Sequence, residues 1–242
     1  MGRDLPGGCK LSGPASGRLF VVFEGPEGSG KSTQARRLAH RLETLGLAVL
    51  LTREPGGTEI GDRIRTLLLD HSSYAMLPET EALLHAASRA QHVREVIRPA
   101  LDDGTVVVCD RYIDSTLAYQ GGGHLLPHDQ LMAIQQVATG GLMPDLRVLL
   151  DLPVDQGLAR RFQVPEEINR IDAASEAFHQ RVRRAYLDAA SADPSGWCVV
   201  DAGQDPDHVE RQVWAAIEGL LPCSGQRSTR SQATYSPAGS KR

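Results

Sequence analysis

Short apolar segments alternate with amphipathic segments along most of the chain. Runs rich in apolar and β-branched residues predict strands at 19–23, 48–52, 105–109, 146–150 and 198–200. Segments with helical periodicity lie between or after them, at 32–45, 60–69, 79–101, 128–139, 155–161, 174–190 and 207–221. Strands that alternate with helices indicate βαβ crossovers, and therefore an α/β fold with a parallel sheet. Because such sheets bind ligands at the carboxyl ends of their strands, we expect the functional side chains there.

The two ends of the chain differ in composition from this alternating region. Residues 1–17 are rich in Gly, Pro and Ser, and residues 222–242 are similar. We therefore expect both to be disordered. The second segment is basic, with Arg227, Arg230, Lys241 and Arg242 and no acidic residue. A solvated tail explains so few charges more simply than a contact with nucleic acid or membrane. The predicted domain spans residues 18–221.

Composition narrows the class of protein. Hydrophobic residues make up 41% of the chain, enough for a sizeable core, and a formal net charge of -4 does not indicate a general nucleic-acid surface. The cysteines are scattered without a CxxC pair, which is typical of a reducing compartment. No apolar run reaches membrane-spanning length, and the first residues lack the apolar core of a signal peptide. We expect a cytoplasmic protein without a membrane or nucleic-acid partner.

One segment, 25–32, matches the phosphate-binding pattern GxxxxGK[ST] in full. It follows the first predicted strand and leads into the first predicted helix, which is the context that the pattern requires. Its glycines let backbone N–H groups point into one concavity, where the start of the helix adds positive charge. Lys31 is expected to reach the outer phosphates and Ser32 to hold Mg²⁺. The predicted triphosphate site is formed by Gly25, Pro26, Glu27, Gly28, Ser29, Gly30, Lys31, Ser32 and Thr33.

Charged residues follow two further predicted strands. Asp110 and Arg111 come directly after strand 105–109, and Arg53 follows strand 48–52. An apolar strand that ends in Asp places a carboxylate beside Mg²⁺ in P-loop proteins, and Arg makes bidentate contacts with phosphate. Taken alone, Asp110 could be a helix cap and Arg53 a solvated side chain. Beside a phosphate loop, we interpret Asp110 as a second Mg²⁺ residue and both arginines as phosphate ligands.

Four segments together resemble the thymidylate kinase family. They are 23–33, 52–58, 86–92 and 110–121, and their order and spacing cover roughly residues 18–221. The resemblance implies the three-layer P-loop NTPase fold, a parallel five-stranded sheet with helices on both faces and a short lid. It also implies transfer of the γ-phosphoryl group of ATP to dTMP, which gives dTDP and ADP for dTTP synthesis. A homodimer packed through helices is expected from the same resemblance.

The resemblance implies which side chains hold the nucleoside. Arg89 would hydrogen-bond a carbonyl of thymine, and Thr116 would meet the edge of the base. Tyr119 would pack under the deoxyribose and crowd a 2′-hydroxyl, with Gln120 beside it. His85 stands where family members usually have a Phe that stacks on thymine. The imidazole either stacks there, with less apolar area, or points elsewhere, and we expect it to stack.

The resemblance also implies roles at the reacting phosphates. Arg53 and Arg111 would clamp the acceptor phosphate, and Glu27 would lie near the 3′-hydroxyl and the transferring group. A carboxylate among phosphates would be repelled without Mg²⁺ or Arg nearby, so Glu27 itself points to function. Some family members carry a catalytic Arg directly after this position, where this chain has Gly28. The cation must then come from elsewhere, as in bacterial members that supply it from the lid.

The segment at about 160–172 is interpreted as that lid. It is charged, it lacks long apolar periodicity, and Pro165 interrupts any continuous helix. Phosphoryl transfer needs a positive group over the equatorial oxygens. The segment departs from the usual Arg-Gly-x-x-Asp-Arg pattern of the family, so the choice among the candidates stays open. The candidate arginines are Arg160, Arg161 and Arg170.

Two alternatives are weighed against this interpretation. A GTPase switch would use residues 169–172 as a guanine-reading NKxD element, but Arg170 replaces Lys, and no DxxG occurs between Lys31 and Asn169. A kinase for another nucleoside monophosphate, or for a deoxynucleoside, is the second alternative. Arg89, Thr116 and Tyr119 favour a deoxypyrimidine monophosphate, without ranking dTMP above dUMP.

Overall fold

The computed structural model describes residues 18–163 and 168–221. Five parallel strands form one sheet in the order β2-β3-β1-β4-β5. The strands are β1 Phe20–Glu24, β2 Val49–Arg53, β3 Val106–Asp110, β4 Leu146–Asp151 and β5 Trp197–Asp201. The prediction of an α/β fold with a parallel sheet is confirmed, and each predicted strand lies within one residue of the observed bounds. The predicted tails, 1–17 and 222–242, and residues 164–167 of the predicted lid lie outside the described residues.

Helices cover both faces of the sheet. They are α1 Lys31–Thr44, α2 Glu59–Leu69, α3 Pro78–His92, α4 Arg98–Asp102, α5 Ile113–Thr116, α6 His128–Thr139, α7 Val154–Arg161, α8 Glu176–Ala192 and α9 Pro206–Ile217. A π-helical segment, Val93–Ile97, joins α3 to α4, so the single helix expected at 79–101 is three consecutive helical segments. A second, Leu117–Gly123, continues α5 in a stretch where we had not predicted a helix. Within the described residues, no helix is both long and apolar enough to cross a membrane.

The core is divided by the sheet, because successive side chains of a strand point to opposite faces. Val21 and Phe23 pack into a cluster with Leu38 of α1, on the face that α9 also covers. Phe20 and Val22 pack with Val93 on the other face. All five residues of β1 are buried, as expected for a parallel strand covered on both sides. The three layers thereby hold the carboxyl ends of the central strands in fixed register.

Candidate active site

The carboxyl ends of β1, β2 and β3 open into one cavity of about 690 Å³. Most of the residues predicted from the sequence line it: Glu27, Gly28, Gly30, Lys31, Ser32, Thr33, Arg53, His85, Asp110, Arg111, Thr116, Tyr119, Gln120, Arg160 and Arg161. A smaller group is not part of the lining, namely Gly25, Pro26, Ser29, Arg89 and Arg170. The cavity therefore brings the phosphate loop, the strand-end charges and the expected nucleoside residues to one place.

The phosphate loop is built on glycines in conformations that other residues rarely adopt. Gly25, Gly28 and Gly30 have φ of 140°, 70° and 88°, in the region that favours glycine. Lys31 is buried and folds back over the loop, where its Nζ donates to the carbonyl oxygen of Pro26 at 2.7 Å. Burial and the Arg111 guanidinium lower the pKa of Lys31 to about 8. An anionic ligand would reverse this effect and hold the ammonium charged.

Ser32 and Asp110 lie against each other at the mouth of the loop, and Ser32 Oγ donates to Asp110 Oδ2. A hydroxyl and a carboxylate oxygen at adjacent positions suit a hard divalent cation such as Mg²⁺. Across residues 18–163 and 168–221 there is no group of three or more His, Cys, Asp or Glu side chains that could hold a metal. Any Mg²⁺ here would therefore complete its shell with water and ligand phosphate oxygens.

Glu27 is held by cationic and hydroxyl groups. Arg111 Nη2 donates to Glu27 Oε1 at 2.8 Å, and Tyr119 Oη donates to the same oxygen at 2.9 Å. Burial opposes ionisation of this carboxyl, but the charges of Arg111 and Lys31 outweigh it and lower the pKa of Glu27 to about 2. Glu27 is thus a carboxylate at neutral pH and lies beside the arginine that such a position requires.

A further arginine, Arg65 of α2, lines the cavity. It is not among the site residues predicted from the sequence. Its Nη1 donates to the carbonyl oxygen of Pro55 at 3.0 Å. Burial, with the charges of Arg53 and Arg111, lowers the pKa of the Arg65 guanidinium. Three guanidinium groups that repel one another around one space favour an anionic occupant. The available sequence signal was helical spacing, since Arg65 lies two turns after Thr58, the residue that caps α2.

Arg89 lies behind the cavity wall, with 1% of its surface exposed. Its Nε donates to Glu54 Oε2 at 2.7 Å, and its Nη2 donates to the carbonyl oxygen of Tyr112 at 2.8 Å. Its Nη1 donates to Thr116 Oγ1 at 3.1 Å and to Gln135 Oε1. Thr116 does line the cavity. The structure therefore connects Arg89 to the cavity through the Thr116 hydroxyl, a relay that the sequence did not predict.

His85 lines the cavity on α3, the position that stacking on a base requires. Burial and the charges of Arg89 and Arg111 lower the pKa of His85 to about 3. The imidazole is therefore neutral at physiological pH and presents an uncharged ring to the cavity.

The lid arginines lie in different surroundings. Arg160 Nη1 donates to the carbonyl oxygen of Ala202 at 3.0 Å, after β5. Arg161 Nε donates to Asp172 Oδ2 at 3.0 Å, and the Arg161 charge is among those that lower the pKa of Glu27. Arg161 therefore lies close enough to the phosphate loop for its charge to stabilise the Glu27 carboxylate.

Arg170 instead pairs with the buried carboxylate of Glu81 on α3. Its Nε donates to the carbonyl oxygen of Leu68 at 3.3 Å. Glu81 Oε1 also accepts a hydrogen bond from Gln120 Nε2 at 2.6 Å. Arg170 therefore lies at the end of the cavity where the nucleoside residues are found, behind the lining.

Helix α7, which ends at Arg161 where the predicted lid begins, packs directly on the phosphate loop through two glycines. A Cβ added at Gly28 would lie 2.1 Å from the carbonyl oxygen of Gly157, and one added at Gly157 would lie 2.4 Å from the carbonyl oxygen of Glu27. No side chain fits at either position without a backbone shift. Gly28 is thus the point at which α7 contacts the phosphate loop.

Comparisons with known proteins agree with this geometry. The family model for thymidylate kinase matches residues 23–213. The thymidylate kinase of Thermomicrobium roseum is 52% identical over 209 residues, which cover 86% of this chain and 98% of that protein. That of Pseudomonas putida strain GB-1 is 47% identical over 208 residues, with 86% and 99% covered. The crystal structure of thymidylate kinase from Ehrlichia chaffeensis superimposes with a TM-score of 0.67 at 29% identity, and covers 83% of this chain and 98% of that one.

Proposed function

Since the chain belongs to the thymidylate kinase family, we propose that it transfers the γ-phosphoryl group of ATP to dTMP, giving dTDP and ADP for dTTP synthesis. The observation that carries this proposal is the single cavity that joins a phosphate loop to a cluster of arginines and to buried polar side chains. A donor triphosphate and an acceptor monophosphate can meet there in line. The catalytic domain is taken as residues 18–221, with its lid at about 160–172.

The donor end of the cavity would hold Mg·ATP. Residues 25–33 would cradle the phosphates, while Ser32 and Asp110 would hold the metal. A metal held by these two residues would supply positive charge beside the phosphates. Lys31, already bent over the loop, would contact the outer phosphates, and Arg161 would act from the lid on the transferring group.

The acceptor phosphate would lie among Arg53, Arg65 and Arg111. Its attacking oxygen is already anionic, so no strong general base is required, and catalysis is mostly positioning and charge neutralisation. Glu27 is ionised and shares Arg111 with this phosphate. Its carboxylate would meet the 3′-hydroxyl of the sugar as a hydrogen-bond acceptor.

The nucleoside end favours a base with a carbonyl group at its reading edge. Arg89 Nη1 donates to Thr116 Oγ1, so the single hydroxyl hydrogen of Thr116 is free to be donated towards the cavity. A hydroxyl that donates into the cavity pairs with the carbonyl of thymine. His85 would stack on the base as a neutral ring, and Tyr119, beside Gln120, would crowd a ribose 2′-hydroxyl.

The oligomer and its setting are part of the proposal. Ile60 and Leu67 lie one above the other on α2, Leu83 lies on the adjoining α3, and all three are about half exposed. Such a face suits a helix-packed homodimer. Light scattering coupled to gel filtration would report the mass, and Leu67→Asp should give a monomer. We further propose that the enzyme is cytoplasmic and that the basic segment 222–242 is dispensable for activity.

Acceptor dependence of ADP formation tests the proposed activity. Purified protein with Mg·ATP is offered dTMP, dUMP, UMP, CMP, thymidine or no acceptor, and ADP is measured by a coupled assay. We expect turnover with dTMP and dUMP, and little with the ribonucleotides or with thymidine. Turnover with UMP equal to that with dTMP would defeat the base and sugar assignment. A parallel assay offers Mg·GTP without an acceptor. Hydrolysis of GTP under these conditions would support the GTPase-switch alternative instead.

A further inference from the structure

Arg111 has a backbone conformation that residues other than glycine rarely adopt. Its φ is 74°, in the left-handed region, which is costly for a side chain with a Cβ. The Arg111 N–H donates to the carbonyl oxygen of Phe23 at 2.9 Å. In this conformation the guanidinium reaches the phosphate loop, with Nη2 on Glu27 and Nη1 3.3 Å from the carbonyl oxygen of Gly25. Something in the surrounding structure must hold the residue there.

Glu24, the last residue of β1, is fully buried and lies beside this turn. Its Oε1 accepts from the backbone N–H groups of Tyr112 at 2.8 Å and Ser115 at 3.2 Å. These groups belong to the residue after Arg111 and to the first turn of α5. By accepting these two N–H groups, the Glu24 carboxylate fixes the backbone directly after Arg111, and this helps to hold Arg111 in its unfavourable conformation.

The other oxygen of Glu24 acts on the Arg111 side chain through two hydroxyls. Glu24 Oε2 accepts from Ser115 Oγ at 2.6 Å and from Tyr186 Oη at 2.9 Å. Arg111 Nη1 donates to the same two oxygens, at 3.2 Å and 3.3 Å. A hydroxyl has one hydrogen, so donation to Glu24 turns the lone pairs of both groups towards the guanidinium. The two hydroxyl oxygens also lie 2.9 Å apart, so without Glu24 one of them could donate to the other. With Glu24 ionised, both can donate to its carboxylate and accept from Arg111.

We propose that Glu24 is a positioning residue that sets the orientation of Arg111 for the acceptor phosphate, through the backbone of residues 112–115 and through the hydroxyls of Ser115 and Tyr186. Glu24 itself is fully buried and is not among the residues that line the cavity. The inference rests on the proposed role of Arg111 as an acceptor-phosphate ligand. The sequence analysis assigns no role to Glu24, which lies between the predicted strand 19–23 and the phosphate loop 25–32.

The positioning depends on the charge state of Glu24. Burial and the nearby Asp114 carboxylate raise the pKa of Glu24 to about 7. The other groups that face it are Arg111, Lys31 of α1, Cys109 of β3 and Tyr186 of α8. A protonated Glu24 would carry a hydrogen of its own, and one of its hydrogen bonds would then be lost. The Michaelis constant for dTMP should therefore fall as the pH rises through about 7, beyond the change that dTMP ionisation causes.

The test compares variants by steady-state kinetics in both substrates. Glu24→Gln keeps the shape of the side chain but replaces one acceptor oxygen with an NH₂ group. This donor would then face either the two backbone N–H groups or the hydrogens of the two hydroxyls. It should raise the KM for dTMP about tenfold and leave that for ATP within about twofold. Asp145→Asn is the matched control, because Asp145 Oδ2 accepts the Phe20 N–H at 2.7 Å at the opposite end of β1. It should leave both constants unchanged.

Tyr186→Phe removes one hydroxyl and keeps the charge, so it should raise the KM for dTMP by a smaller factor. Its effect should not multiply with that of Glu24→Gln, because both act on one contact. The KM for dTMP should depend on pH near 7 in the wild type and lose this dependence in Glu24→Gln. A purely structural role of Glu24 would not change the pH dependence. If Glu24→Gln does not fold, Tyr186→Phe and Ser115→Ala carry the test.

The outcomes separate this inference from the function on which it rests. If Arg111→Ala leaves the KM for dTMP unchanged, the role proposed for Arg111 is wrong, and the role of Glu24 falls with it. If Arg111→Ala raises that constant while the Glu24, Ser115 and Tyr186 variants do not, the positioning role alone is overturned. The positioning role would also be overturned if the Glu24, Ser115 and Tyr186 variants all lost kcat to the same extent and kept both Michaelis constants. That result would indicate a lower fraction of folded enzyme.

Discussion

Substitution of Gly157 by Ala adds a single methyl group at the contact between α7 and the phosphate loop. Gly157 lies inside α7, and Arg160 and Arg161 follow it within about one helical turn. The added Cβ would lie 2.4 Å from the carbonyl oxygen of Glu27. Because that oxygen belongs to the backbone of the loop, the clash cannot be relieved by a side-chain rotation. Either α7 or the loop must move.

The structure gives the size of the effect. Ordinary contact of a Cβ begins at 3.4 Å, so α7 and the loop must separate by about 1 Å. Overpacking costs about 1–3 kcal/mol, and the better helix propensity of Ala returns about 1 kcal/mol. The free energy of unfolding should therefore fall by at most about 2 kcal/mol, and Tm by about 2–4 °C for each kcal/mol. A misplacement of about 1 Å at reacting groups can cost about a hundredfold in rate.

We therefore expect Gly157→Ala to stay folded at 25 °C and to lose about a hundredfold in kcat, with the KM for dTMP changed by less than about threefold. Initial rates of ADP formation, with both substrates varied, give these constants, and thermal unfolding followed by circular dichroism gives Tm. The loss belongs to kcat because the displaced lid arginines are proposed to act on the transferring group and not on the bound nucleoside.

Gly219→Ala is the matched control. Gly219 also lies in a helical turn, but a Cβ there would meet nothing within 4 Å. This variant should keep full activity and an equal or slightly higher Tm. If Gly157→Ala retains wild-type kcat, the close packing of α7 on the loop does not position the lid arginines, and that part of the account is wrong.

Further variants probe the other ends of the cavity. Lys31→Ala should lower kcat by at least about a hundredfold with little change in dTMP binding measured by calorimetry. Arg65→Ala should raise the KM for dTMP about tenfold, and Arg65→Lys should recover only part of it. Arg89→Ala should impair use of dTMP and leave the KM for ATP nearly unaltered, since Arg89 orients Thr116. Because the pKa of Lys31 is lowered to about 8, and its charged form binds ATP, kcat/KM for ATP should fall as the pH rises above about 8.

The sheet and the phosphate site could be predicted from the sequence because local pattern determines them. The five strands are short runs rich in apolar and β-branched residues, and the central strand β1 is buried along its whole length. The loop from Gly25 to Ser32 is a contiguous motif, and the side chains that follow β2 and β3 reach the same edge of a parallel sheet by topology alone. Thr58 follows a Pro-Gly-Gly sequence and caps α2 by accepting from the Gly61 N–H at 3.0 Å; Thr is one of the residue types that favour this position.

The helical structure of residues 117–123 could not be predicted from local sequence patterns. Leu117–Gly123 ends in three glycines, which have low helix propensity. Tertiary packing decides its structure: a Cβ at Gly122 would lie 2.6 Å from the Cβ of Ala185, and one at Gly123 would lie 2.4 Å from the ring of Phe178. The glycines permit a close approach of α8, and no periodicity in the sequence records that contact.

The roles of Arg65, Glu24 and Glu81 were missed for a related reason. Each is an ordinary helix or strand residue in its local sequence, and each acquires its surroundings from elements far away in the chain. Glu81 meets Arg170, which is 89 residues away, and Glu24 meets Tyr186, which is 162 residues away. Such pairs become visible only when the fold has brought them together.

Transfer of label from [γ-³²P]ATP to dTMP measures the proposed reaction itself. With equal protein and Mg²⁺, wild type should place the label in dTDP only when dTMP is present, and Lys31→Ala should transfer it at least about a hundredfold more slowly. Appearance of the label as inorganic phosphate at the same rate with and without dTMP, or its transfer to UMP as readily as to dTMP, would contradict the account.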